Sequence, residues 1–265
     1  MISFRTWEQP STVEEAWELY QKKGSCLIGG MQWIKMSHAS CSSAIDLSAL
    51  GLCGIEETDK EFVIGCMTPL RELELHPGLD AFSGGQMREA LRHIVGVQFR
   101  NTATVGGSVA GRFGFSDVLT ILLAMNCSVR LCRGGVVPLR EYADRAPDRD
   151  ILTHVSILKE KADFCYQSVR NAQTDFPVLT CAASRTEEGS WRFVYGARPQ
   201  KALVLEDREG ILGEIPPGED RAEAARRFAD YAAEAVPTAK NLRGSAAYRT
   251  HLVKVLTERA VLKLM

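Results

Sequence analysis

Residues 98–111, QFRNTATVGGSVAG, gather Arg100, Asn101, the hydroxyls of Thr102, Thr104 and Ser108, and the pair Gly106-Gly107 in one short stretch. A second pair, Gly29-Gly30, follows the apolar run SCLI and precedes Met31-Gln32-Trp33. Glycine lets a backbone come within hydrogen-bonding reach of a ligand, and successive N–H groups in a turn form an anion-binding concavity. Hydroxyls add donors, so such loops suit a pyrophosphate. Taken singly, each Gly-Gly reads first as a tight turn. Two such loops in one α+β region, without another nucleotide signature, point to a dinucleotide held in a less common way.

Other chemistries lack their residues. No GxGxxG follows a strand and no GxxxxGK[ST] occurs, which leaves out the Rossmann and P-loop nucleotide sites. Neither HExxH nor GxSxG is present. The five histidines are isolated, and paired carboxylates fall in charge-rich helices where a solvated face is the default reading. Eight cysteines are scattered without a CxxC pair, so no zinc or iron–sulfur ligand set is expected, and reduced, mostly buried thiols are. A net charge of −1 gives no basic footprint for nucleic acid or an anionic membrane. No apolar run approaches the roughly 20 residues that span a bilayer, and the first residues resemble no targeting peptide. The chain is expected to be cytosolic.

The glycine loops must be held by the elements around them. Ser11 with Glu14 reads as a capping box for a helix over 12–22. SCLIGG reads as a buried strand running into the first loop. EFVIGCMTPLRELELHP predicts a strand at 62–66, then Thr68 as N-cap with Pro69 at the first helical position. GGQMREALRHIVG predicts a helix leading into the second loop, and Ser116 caps DVLTILLAM, apolar on nearly every side and so buried. CSVRLCRGGVVPLREYA reads as a hairpin turning at Gly134-Gly135, and DILTHVSIL as a strand over 150–158. Beyond it, FCYQSVR, DFPVLTCAASR and SWRFVYGAR are strand-like, and AEAARRFADYAAEAV and SAAYRTHLVKVLTERAV are amphipathic helices. The expected class is α+β, with a two-part domain over 1–157 (subdomains about 1–55 and 56–157) and a small domain over 162–265 carrying a three-stranded antiparallel sheet with helices.

In order along the chain these segments resemble the FAD-binding medium subunit of the molybdenum hydroxylases, the xanthine dehydrogenase and carbon monoxide dehydrogenase family. LIGGMQWIKM is similar to its first flavin loop, IGCMTPLREL to its IGA-T-L-EL segment, and VQFRNTATVGGSVAG to its QxRN-x-[AG]-T-[IV]-GGN loop. FSDVLTILLAMNCSVRL resembles the continuation, and DFPVLTCAA, GARPQKA and LRGSAAYRTHLVKVL the C-terminal domain. The block 98–131 is the specific one.

The resemblance implies an FAD-binding domain of the non-Rossmann type. Its cofactor contacts would come from Ile28, Gly29, Gly30, Met31, Gln32 and Trp33 in the first loop, and from Thr104, Val105, Gly106, Gly107, Ser108 and Val109 in the second. Val109 would sit near the isoalloxazine ring, Asp117 on the ribityl or ribose side beside the capping Ser116, with Leu152 and Gln167 completing the set. It implies a molybdopterin-binding large subunit and a [2Fe–2S] small subunit as partners, with electrons passing through FAD to NAD+ or another acceptor. The chain departs from the pattern in three places. Met31, Gln32 and Trp33 stand where the first loop usually has hydroxyl and carboxylate residues. Ser108 replaces an asparagine, and Gln167-Ser168 follow Tyr166 where a lysine is usual. Two rival readings follow: a subunit of the same complex that has lost FAD and is structural, or a stand-alone flavoprotein reductase. Without the resemblance, Asp117 reads as a first-turn carboxylate favoured by the helix dipole and Arg100 as a surface charge.

Overall fold

In a computed structural model, which describes residues 1–213 and 220–265, the chain forms two units of interleaved segments. The first unit comprises Met1–Leu75, Gly96–Gly111 and Cys127–Leu158; the second comprises His76–Val95, Arg112–Asn126 and Lys159–Met265. Among the described residues no helix is long and apolar enough to cross a membrane.

The first unit begins with a three-stranded parallel sheet. Ser40–Asp46 lies at its centre, between Ser3–Glu8 and Ser25–Ile28. The crossover helix Val13–Gln21 starts at Thr12, whose backbone is extended and whose hydroxyl accepts from the Glu15 N–H at 3.1 Å. Glu15 accepts in return from the Ser11 N–H at 2.8 Å. The cap is therefore Thr12 with Glu15, one residue later than Ser11 with Glu14. Arg149 fixes the helix exit: its guanidinium lies 4.3 Å from the Tyr20 ring centre and donates to the Ser25 hydroxyl at 2.6 Å. That contact anchors the strand which delivers the first glycine loop.

A five-stranded sheet follows in the same unit, ordered Ile55–Glu57, Glu61–Gly65, Leu152–Leu158, Cys127–Leu131 and Gly135–Pro138, with every neighbour antiparallel. The last two form the expected hairpin, with Gly135 at φ 67°. The short helix Val105–Ala110 packs on Glu61–Gly65 and Leu152–Leu158. Thr68 does not cap a helix as the sequence predicts. Its hydroxyl is fully buried and exchanges hydrogen bonds with the N–H and C=O of Gly54, each at 2.9 Å.

The second unit is built on a four-stranded antiparallel sheet in chain order: Ala162–Arg170, Pro177–Thr186, Trp191–Gly196 and Leu203–Glu206. The antiparallel sheet is the expected one, with a fourth, edge strand added. One face packs Cys165, Cys181, Phe193 and Tyr195 against Phe228, Val253 and Leu256 of helices Arg221–Ala235 and Ala246–Leu264. The other face takes helix Asp117–Ala124, every residue of which is buried, with Ser116 accepting from the Leu119 N–H at 3.1 Å. Coverage on both sides buries the central strand without a break from Pro177 to Ser184.

Arg249 is fully buried at the start of the C-terminal helix, and its guanidinium donates to Val178 O, Ala239 O, Gly244 O and Asn241 Oδ1 at 2.6–2.8 Å. Buried charge is tolerated only when its donors are satisfied, and here four acceptors converge on it. The arginine of SAAYRT thus pins the helix to the sheet.

Candidate functional site

Strand Ser25–Ile28 runs directly into the first loop. A Cβ on Gly30 would lie 1.6 Å from the carbonyl oxygen of Thr102, and one on Gly29 would lie 2.9 Å from Thr104 Oγ1. Both glycines therefore let this loop seat against residues 102–104, a packing requirement before it is a ligand requirement. Met31 follows at φ 56°, in the left-handed region that costs a side-chain-bearing residue on the order of 1 kcal/mol. Such a turn aims consecutive amides to one side. Among the described residues, the N–H groups of Gly29, Gly30, Met31 and Gln32 donate to no protein acceptor. The Gln32 carboxamide donates to Thr102 Oγ1 at 2.5 Å and accepts from Lys35 Nζ at 2.9 Å, which brings an ammonium to the loop. Trp33, 43% exposed, adds an aromatic surface.

The second loop lies in the same unit and is organised differently. Four of its amides are claimed: Val105 N–H donates to Thr68 O at 2.9 Å, Gly106 N–H to Cys66 O at 2.8 Å, Gly107 N–H to Thr104 Oγ1 at 3.2 Å and Ser108 N–H to Thr104 O at 3.1 Å. A Cβ on Gly106 would meet Cys66 Cβ at 2.6 Å, so this glycine too serves packing. Val105 and Val109 have no exposed surface, and Ile28 and Leu152 are buried. The Val109 side chain fills the core and supports the loop from behind. Gly107 is exposed and Ser108 half-buried, its hydroxyl donating to Thr104 O at 3.0 Å.

Arg100 is not a surface charge. It is buried and paired with Glu74, Nε to Oε2 at 2.7 Å, and Arg71 reaches the other carboxylate oxygen at 2.9 Å. Burial pushes the Glu74 carboxyl up, but the two guanidiniums outweigh it and hold the group below the usual carboxylate range. The pair clamps the segment leading into the second loop.

The family profile described as FAD binding domain in molybdopterin dehydrogenase matches residues 2–160. The chain belongs to this family. A second profile, CO dehydrogenase flavoprotein C-terminal domain, matches residues 164–264. Among relatives, the medium subunit of nicotine 6-hydroxylase from Paenarthrobacter nicotinovorans is 27% identical over 277 residues, covering 97% of this chain and 96% of that protein. The protein YgfM of Escherichia coli K12 is 27% identical over 255 residues, covering 94% and 92%. Carbon monoxide dehydrogenase from Hydrogenophaga pseudoflava, in a structure lacking the Mo-pyranopterin moiety, superposes with TM-score 0.87 at 23% identity, covering 97% of this chain and 96% of that one. The superposition establishes the fold.

FAD is the cofactor of this family, and its pyrophosphate is the part a donor-lined loop must meet. The donor set of the first loop fits it: four consecutive unclaimed amides, with an ammonium beside them. Met31, Gln32 and Trp33 take nothing from that set, because their amides remain whatever their side chains.

The remaining expected residues lie in the second unit. Ser116 caps its helix as expected. Asp117 is buried, and its Oδ1 accepts from both the Tyr166 hydroxyl and the Arg170 guanidinium. Burial raises its carboxyl to about 6, against the pull of Arg170 and Tyr166. Within the unit, one oxygen of Asp117 locks two side chains of the first sheet strand. Strand alternation sends Gln167 to the opposite face, where its carboxamide donates to Leu256 O at 3.1 Å. Tyr166, Ser168 and Arg170 share the face of Asp117, and Arg170 Nε donates to Ser168 Oγ at 3.3 Å. Sequence reading missed Lys35, Glu74, Tyr166 and Arg170. The period-two pattern of FCYQSVR carried the last two.

Proposed function

We propose that this chain is the FAD-carrying medium subunit of a multi-subunit molybdenum hydroxylase of the cytoplasm. In this reading it relays electrons from a partner [2Fe–2S] subunit to NAD+ or another acceptor, while a molybdopterin-binding large subunit oxidises the substrate. The run of unclaimed amides over Gly29–Gln32 carries the proposal, and the medium-subunit relatives support it. Bound FAD supplies the redox chemistry; the chain supplies binding and orientation. The Gly29–Gln32 amides receive the pyrophosphate oxygens, Lys35 offsets their charge, and Trp33 offers a ring to stack on. Relay needs no side-chain acid or base, in keeping with the lack of a catalytic triad or metal motif in the sequence. The domain division, 1–157 for FAD and 162–265 for the C-terminal part, belongs to the same proposal.

One observation favours a second reading, a structural subunit without FAD. The loop most similar to the family pattern has its amides turned inward, onto Thr68, Cys66 and Thr104. Titration of the purified chain with FAD, followed by visible absorbance, separates the two. Saturable stoichiometric uptake is expected, weakened about tenfold in Lys35→Met, which loses one charge-assisted contact. A chain that ignores FAD even when its partner subunits are present leaves the structural reading.

A further inference from the structure

Strand Ala162–Arg170 is an edge of the second unit's sheet, paired on one side only. The Tyr166 N–H, on the free side, donates to Gln86 Oε1 at 2.9 Å, and Lys263 Nζ donates to the same oxygen at 3.2 Å. A backbone amide and an ammonium thus converge on one oxygen, which the chain supplies from a neutral carboxamide. The oxygen sits in the wall of a cleft of about 550 Å³ inside the second unit, lined also by Ser168, Leu256 and Arg259. The cleft is shallow and largely open to solvent, a place for a charged, hydrated group.

The charges in the cleft do not cancel. Glu89 is on its wall, but Arg92 holds that carboxylate at 2.9 Å. Among the described residues, neither Arg259 nor Lys263 pairs with a carboxylate, and the two are four apart on the C-terminal helix, hence neighbours on one face. We propose that this cleft is an oxyanion site for a small phosphate-bearing molecule, with Gln86 as its built-in stand-in. A phosphate group offers several charged oxygens to the Tyr166 N–H, Lys263 and the fork of Arg259. The carboxamide offers one neutral oxygen to the amide and the ammonium, whereas a phosphate brings ionised oxygens to both donors and to Arg259, so it displaces the carboxamide. The site is separate from the Gly29–Gln32 loop and does not depend on the flavin reading.

Free phosphate and a phosphate ester share this chemistry, and calorimetric titration with inorganic phosphate and with AMP distinguishes them. The FAD-saturated chain is used, so that neither probe reports on flavin binding. Saturable binding is expected, weakened about tenfold in Arg259→Met and in Lys263→Met, and tightened in Gln86→Ala, which removes the internal competitor. Tighter binding of AMP assigns the site to a nucleotide; equal binding assigns it to phosphate itself. Both cationic side chains lie at the surface, and unchanged circular dichroism checks that the variants fold. Absence of saturable binding by either probe, or binding that neither cationic variant weakens, overturns the proposal. Because the reading is the difference between variants, a chain that takes up no FAD still tests it.

Discussion

The two glycine loops of the first unit invert the impression their sequences give. GGMQW departs from the family pattern at each side chain after the glycines, yet it leaves four amides for a ligand. TVGGS follows the pattern closely, yet Thr68, Cys66 and Thr104 claim the amides of Val105, Gly106, Gly107 and Ser108. A motif written in side-chain types does not say where the backbone donors point. Where recognition is by main chain, substitutions are tolerated wherever the turn survives them.

The comparison breaks first on its glycines. Gly30→Ala forces a Cβ to within 1.6 Å of a backbone carbonyl, which cannot rotate away. The two loops must part, at a cost on the order of 4 kcal/mol or more. A large drop in melting temperature and loss of FAD uptake are expected together. Gly107→Ala brings its Cβ only to 3.1 Å from Thr104 Oγ1, inside a helix where alanine is favoured over glycine by about 1 kcal/mol. Stability and uptake should barely move. If Gly107→Ala abolishes FAD uptake while the protein stays folded, the second loop is the cradle and the first is not.

The next effect concerns what holds the second loop. Removing one partner of a buried ion pair costs about 3–5 kcal/mol, so Arg100→Ala should destabilise the chain by that order. The pH dependence has a definite sign. The Glu74 carboxyl is depressed in the folded chain, so its contribution is present above its unfolded value of 4.5 and is lost as pH falls through the folded one. Glu74→Gln should remove that part of the acid limb from a stability–pH profile. An unchanged acid limb would show that the clamp carries no weight.

How much of this was legible in the sequence depended on how local the cause was. Helix Asp117–Ala124 was readable because a capping serine and an unbroken apolar run are written in adjacent positions. Strand Leu203–Glu206 was not, since four half-buried residues at a sheet edge give no clear alternation. The first-helix cap was misplaced by one residue because Ser11 and Thr12 are both capping types and only the backbone decides between them. At the site, residue types were visible but their engagements were not. Arg100 finds Glu74 from 26 positions away, and Gly106 finds the Cys66 carbonyl only once the strand before it is in place. Asp117 matched its motif, while the two side chains that engage it lie on a strand about fifty residues further on.

The smallest effect sharpens the comparison most, because it separates the side chain from the amide at one position. Met31 holds a left-handed φ of 56°, a strain on the order of 1 kcal/mol that glycine does not feel. Glycine's greater freedom in the unfolded chain takes back roughly 0.4–1 kcal/mol of that relief. Met31→Gly should therefore leave the melting temperature level or raise it slightly. It keeps the amide and the turn while deleting the side chain. FAD affinity should accordingly stay within about twofold of the parent chain, as recognition through N–H groups requires. A tenfold loss, with folding intact, would mean that the thioether itself touches the cofactor. The first loop would then bind by the side chains that set it apart from its family, and not by the backbone it shares.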